Sequence, residues 1–467
     1  MNTKLRSLAS KLTDTEKPKA IDWILTIALI FFCYFSFNHV DILITSTHGK
    51  DLVECFLQGK FFEFYDYTES TAVYSITVYI VFAIWSLPVM LGYKVLGIPL
   101  WGTLDYFAIP YPVLMWYKLL PTLCYLAIAY LLYKIVLEIK MDRNTAKWVS
   151  FLFISSPIAM FSQFIFGQYD SLGLLLTVWA LYMFIKKKYY AFSILCSVAV
   201  TFKMFALFFF IPLLLLVEKR PLHIIKHLII AMSGYVLTSC LFANSQGYGD
   251  AMDFSGNIVS RLFSSGIQTQ MGTISLFTVA MILVCILAYN KNISDIHEYY
   301  AYSIYIPFFV YAAMFAFILW HPQWVIFLMP FMALAVVLNS KTNASLLLHS
   351  IMAVGYVGAT VMFFVNNVDA CLLNYGVFAE VFGRKDVGCL SELFGFGGAL
   401  GSNFYFSLFA GSLFVLMLTC YPTSANIQHL GKSIQKKKFV IGDRLFILLR
   451  PLILLLFILP ALYLFFS

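Results

Sequence analysis

Two acids in this chain stand where a strongly apolar sequence has least use for them. Asp41 directly follows the run Trp23 to Val40, and Asp170 sits in FGQYDSL, residues 166–172, between two apolar segments. Asp41 is pinned at the helix end, where a carboxylate held at the rim of a bilayer can reach a substrate whose anchor is lipid. An acidic external loop also accounts for it, since Asp51, Glu54, Glu63 and Asp66 follow. Asp170 is either a helix-start cap, a position that favours Asp and Ser, or part of a group with Gln168 and Tyr169 that hydrogen-bonds a sugar or buttresses another side chain. The neighbouring Gln and Tyr favour the second reading.

The cations are equally isolated. Lys203 in VTFKMFALFFFIPLLL has no acid in its own segment, and a charge at the bilayer centre costs about 2.5 to 3.5 kcal/mol on insertion scales. Such a residue snorkels to the interface or faces a cavity, where an anionic headgroup, above all a phosphate, is its natural ligand. WHPQW, residues 320–324, punctuates two apolar runs. Its tryptophans read as a membrane-interface belt, which leaves His321 and Gln323 as candidate ligand contacts. Arg261, in NIVSRLFSSG, is a surface charge or a second phosphate contact.

These residues need elements to hold them. Of 467 residues 61% are hydrophobic and 12% charged, with mean hydropathy +0.85, which excludes a soluble fold. Recurring apolar runs in lipid must satisfy their backbone as helices, so the chain is expected to be an all-α polytopic membrane protein. The net charge of +8 falls in short clusters, at Lys4 to Lys19, Lys134 to Lys147, Lys186 to Lys188, Lys219 to Lys226 and Lys432 to Arg444. That pattern reports topology and gives no reason to expect nucleic acid. Placing every cluster in the cytoplasm gives about 13 crossings, a basic leader over 1–22 on the cytoplasmic side, and a single domain over 23–466 with external loops 41–112, 244–271 and 367–402. Parity requires two irregularities. Residues 72–97 become an interfacial or re-entrant element broken at Pro88, and 189–217 breaks at Thr201-Phe202-Lys203. Cys371 and Cys389 share the last external loop, as a disulfide or as free thiols according to compartment.

The order of DILITSTHG with FYDY, then FGQYDSLGLLL, then FKMFALFFFIPLLL, then HPQW before MPF resembles the GT-C superfamily of integral-membrane glycosyltransferases, in particular bacterial members related to the GPI-mannosyltransferase type. Many relatives read K-P-Q-A where this chain has Lys203-Met204-Phe205-Ala206. The resemblance implies inverting transfer of a sugar, mannose-like, from a polyprenyl-phosphate donor to a cell-wall or lipid-linked glycan on the outer face of a bacterial cytoplasmic membrane. It makes Asp41 the general base, with Lys203, His321 and Arg261 meeting the departing phosphate and Asp170, Gln168, Tyr169 and Gln323 lining the substrate site. No cofactor is expected; a divalent metal serves some members, although no tight ligand cluster stands in the sequence. A transporter or flippase for a lipid-linked sugar is the rival reading. It predicts paired half-repeats and ionisable groups near the midplane.

Overall fold

The computed structural model describes residues 16–68, 72–102, 104, 108–364, 373–385, 390–393, 399–436 and 444–467. Cys371, Cys389 and most of the expected leader lie outside them.

Helix α1 (Ala20–Ser36) ends where Phe37 turns extended, and α2 (Val40–Leu57) leaves at 67° to it. The turn is fixed by His39, whose Nδ1 accepts the backbone N–H of Asp41 at 3.2 Å. Helix α3 (Ile76–Leu96) packs along α2. Gly49 permits that approach: a Cβ there would stand 2.6 Å from Cβ of Phe82. Helix α4 (Tyr111–Glu138) meets α3 near its own first turns. There Trp85 and Trp116 stack at 4.6 Å, and each indole N–H donates to the other residue's carbonyl at 2.9 Å. The stretch expected as external loop 41–112 therefore holds two substantial helices. The break expected at Pro88 does not occur: Ile76–Leu96 is one continuous helix, long and apolar enough by length and composition to cross a membrane. Away from water, unwinding around the proline would orphan further backbone groups, so the helix tolerates one missing bond.

Helix α5 (Arg143–Ile154) starts on Asp142, whose carboxylate accepts the N–H groups of Asn144 and Thr145 at 2.7 and 3.1 Å. It stops before Pro157, which lacks the N–H needed to continue it. Ser156 caps the next turn, Pro157–Met160, which runs into a π-helical turn, Phe161–Ile165, bent 51° from α5. FGQYDSL follows, with Gly167 at φ +55°. Helices α6 (Asp170–Ile185), α7 (Tyr189–Phe202) and α8 (Phe205–Val217) are short; at 1.5 Å per residue they reach only about 20 to 24 Å against a hydrocarbon core of roughly 30 Å. The break expected at 201–203 is present and falls on Lys203, whose backbone is extended.

Helix α9 (Pro221–Leu241) buries only His227 and Ala231, and α10 (Gln246–Ser264) returns across the Asp41 end of the molecule. A two-stranded antiparallel hairpin, β1 (Gly266–Thr269) and β2 (Gly272–Ser275), leads into α11 (Leu276–Asn290). Helix α12 (Ile296–Phe317) is buried along nearly its whole length and forms the centre of the core. A 3₁₀ turn, Pro322–Phe327, precedes α13 (Met329–Ala335), and α14 (Thr342–Phe363), α15 (Ala399–Thr419), α16 (Ser424–Lys436) and α17 (Leu445–Phe466) complete the chain. From α17, buried Arg450 donates to the carbonyls of Leu152 and Ser155 at the end of α5, a cation on a helix C-terminus. Asp22 of α1 pairs with Arg444, tying the first described helix to the start of the last.

The molecule is a nearly all-α, multi-pass membrane protein. Among the described residues seven helices are long and apolar enough to cross a membrane alone, and the two bent pairs raise this to nine. A count of 13 requires the shorter apolar helices as well.

Candidate active site

Three chain breaks meet at one end of the bundle, and each carries a residue expected to do chemistry. The first is the α1–α2 bend. Asp41 sits in the first turn of α2, and its carboxylate Oδ2 accepts a hydrogen bond from Gln168 Nε2 at 2.9 Å. The same amide nitrogen donates to the Tyr74 hydroxyl at 2.8 Å, while Gln323 Nε2 donates to Gln168 Oε1 at 3.0 Å. Gln168 is thus fully committed between two neighbours and the acid. Its orientation leaves Asp41 about one-third exposed, facing open space.

The second break is the extended Lys203. Its ammonium pairs with Asp170, the first residue of α6. The ion lies 5.0 Å from the Trp324 ring centroid, 5.4 Å from that of Phe205 and 5.6 Å from that of Tyr169, so aromatic faces surround it on three sides. A buried ion pair survives desolvation only when its geometry and neighbours compensate, and here the rings add to the carboxylate. Asp170 is 3% exposed and Lys203 14%, so the lysine end of the pair is the accessible one.

The third break is the segment between α12 and α13. His321 lies in it, outside the helices, with Phe364 at 5.7 Å and Trp324 at 5.0 Å between ring centroids. Burial pushes its imidazole down to about 4, against the opposing pull of Asp41. At neutral pH it is an uncharged hydrogen-bonding group. Gln323 is buried, and its Oε1 has no hydrogen-bond partner.

Asp41, Tyr169, Lys203, His321 and Gln323 line one cavity of 420 Å³. One wall is a face of α2, with Ile44, Thr45 and His48 following Asp41 at helical spacing. Tyr74, Ser75 and Tyr79 stand on another side, and Met252, Phe254, Ser255 and Val259 of α10 form part of the lining.

The profile of glycosyltransferase family 87 matches residues 73–365, well over half of the chain. The chain belongs to that family. It is a GT-C-type membrane glycosyltransferase, as the sequence resemblance implies. No curated protein matches the chain. The matched span takes in Gln168, Tyr169, Asp170, Lys203, Arg261, His321 and Gln323; Asp41 precedes it.

The glycosyltransferase departs from its sequence reading at several residues. Asp170 is not the helix-start cap, since Tyr169 holds the cap position, and it does not line the cavity to meet a sugar; as the counter-ion of Lys203 it buttresses another side chain, the other role its sequence setting offered. Trp320 and Trp324 do not form an interface belt, being 4% and 6% exposed. Trp320 stacks on Tyr356 at 5.6 Å, and Trp324 faces Lys203. Arg261 lies on α10 within electrostatic reach of His321 but is not among the cavity-lining residues. Tyr74, Thr45 and Trp324 belong to the site and carry no signal in the sequence beyond position near other motifs. Among the described residues no three His, Cys, Asp or Glu side chains converge as a metal site.

Proposed function

We propose that the protein transfers a sugar from a polyprenyl-phosphate donor to a glycan hydroxyl on the outer face of the membrane, with inversion at the anomeric carbon. One observation carries this reading: a carboxylate, a caged lysine and a neutral histidine, brought by three separate chain breaks, line one cavity. Gln168 occupies one oxygen of Asp41, and the acceptor proton goes to the other. As the acceptor oxygen attacks, the new C–O bond forms on one face of the anomeric carbon while the bond to phosphate oxygen breaks on the other, and the electron pair leaves with polyprenyl phosphate. Growing charge on that phosphate is met by Lys203 and by a hydrogen bond from His321, with Arg261 near the rim. Asp170 holds the lysine ionised and aimed before donor arrives. The exposure of the two acids supports this division of roles: Asp41 faces the cavity, whereas Asp170 is buried against a cation.

The topology in this reading has 13 crossings with the N-terminus inside, counting the shorter apolar helices as tilted spans and α3 as an interfacial helix on the outer side. A mannose-like sugar, a surface or lipid-linked glycan acceptor and the bacterial cytoplasmic membrane follow the GT-C resemblance; membership of a glycosyltransferase family disfavours the transporter alternative.

The test is Asp41→Asn, which keeps size and hydrogen bonding while removing proton acceptance at neutral pH. Transfer of labelled sugar in membranes should fall about 10²- to 10⁴-fold with donor binding retained. Surface glycans of cells carrying only that variant should lack one sugar by mass analysis. Near-normal turnover in Asp41→Asn would overturn the assignment.

A further inference from the structure

Lys118 lies in α4, is fully buried, and has no described carboxylate partner. Its Nζ donates instead to backbone carbonyls: Phe37, Tyr34 at 2.7 Å, Phe164 at 2.8 Å and, more weakly, Cys33 at 3.3 Å. Three of these close α1 and the fourth belongs to the π-helical turn Phe161–Ile165. Carbonyls at a helix C-terminus carry the negative end of the helix dipole, and the last of them have no intrahelical partner, although that of Cys33 also accepts the Phe37 N–H at 3.2 Å. One ammonium therefore satisfies two helix ends at once.

Those two ends lead straight into the site. Four residues past Phe37 comes Asp41; four past Phe164 comes Gln168, which donates to the Asp41 carboxylate. The joint is reinforced by His39 stacking on Phe166 at 3.9 Å. Gly167 turns there with positive φ, and a Cβ on it would lie 3.6 Å from Lys118 Cε. A π-turn and an extended corner are both conformations that a helix-forming sequence abandons readily, so each needs an external tie.

We propose that Lys118 is a positioning residue for transfer, the tie that sets the distance between the Asp41 carboxylate and the Gln168 amide. This rests on the reading of Asp41 as base. Lys118 touches no reacting atom; it works through the two corners. A displacement of about 1 Å in a positioned group can cost on the order of 10²-fold in rate.

A double-mutant cycle with Asp41→Asn tests it, using full-length protein in membranes and transfer of label from lipid-linked sugar. Lys118→Met should lower kcat about 10- to 100-fold with donor KM nearly unchanged, because the phosphate-facing residues are not tied through it. On the Asp41→Asn background the same change should cost less than about twofold, since a base already removed cannot be misplaced. Lys118→Gln, which keeps two N–H donors, should lose less than Lys118→Met. An equal loss on both backgrounds, or a loss confined to KM, assigns Lys118 a general structural role and overturns the proposal. So does failure of both variants to fold, which makes the residue a folding determinant. High turnover of Asp41→Asn alone sinks the base assignment instead, so the two failures are distinguishable.

Discussion

Asp170 and Lys203 are 33 positions apart in sequence, each an isolated ion in an apolar segment, and each read alone acquires a ligand of its own. In the fold they neutralise one another, and only the lysine faces the cavity. Lys203→Met should therefore do two things: weaken donor use, and leave a buried carboxylate unpaired at a cost of about 3 to 5 kcal/mol. Pairing it with Asp170→Asn should restore much of the lost thermal stability in detergent without restoring transfer. If the double variant unfolds as early as the single one, the ion pair is not what the lysine stabilises. His321 makes a separate prediction. Its folded value of about 4 lies below the ordinary 6.5, so between these the unfolded chain binds the proton first. Stability should fall as pH drops from 6.5 toward 4, and the thermal midpoint of His321→Asn should fall less over that range. The residue types were legible in the sequence as exceptions to an apolar background. Their pairings were not, because sequence separation hides the partner: Asp41 meets Gln168 across 127 positions.

Elements were legible where the cause of a break is local. The extended Lys203 interrupts a run that, as a single crossing, would put its two flanking basic clusters on opposite sides, and the turn after Ile165 carries a glycine at positive φ. The α1–α2 corner was visible only as a place where polar residues begin, since what makes residues 40–57 helical is packing against α3. That packing is where a test belongs. Gly49→Ala puts a methyl 2.6 Å from Phe82 Cβ and 2.8 Å from its carbonyl carbon, both fixed by α3, so neither can yield as a side-chain end would. Overpacking of this kind costs typically about 1 to 3 kcal/mol. The variant should lower the thermal midpoint and reduce transfer together, since Asp41 rides on the displaced helix. Gly411→Ala serves as the comparison, because nothing lies within 4 Å of a Cβ there. Equal stability of the two variants would show that α3 is free to shift, and that α2 is held by something else.

At the scale of the whole molecule the charge pattern supplies an argument independent of any motif. Helices α6 and α7 run from the Asp170 and Lys203 end of the bundle to a hollow lined by Lys187, Lys219 and Lys291, where α8 and α11 also end. Glu380 belongs to the other end: it shares a depression with Leu43 and Tyr111, beside the start of α4, and Asn38 of the α1–α2 corner donates to the Tyr375 carbonyl at 2.8 Å. Cations concentrate on the cytoplasmic side of membrane proteins, so the lysine hollow should be inside and the Asp41 cavity outside. The number of spans was less legible than their polarity, because hydropathy counts apolar runs and cannot tell a helix that crosses from one that lies in the interface. Side, by contrast, is measurable one residue at a time. With the nine native cysteines replaced, a membrane-impermeant maleimide applied to intact cells should label Glu380→Cys and leave Lys187→Cys unlabelled until the membrane is permeabilised. Both positions are exposed, so protection of Lys187→Cys would report the bilayer and not burial. Labelling of Lys187→Cys in intact cells with Glu380→Cys protected would invert the protein, place the cavity in the cytoplasm, and redirect the search for its donor to the inner leaflet.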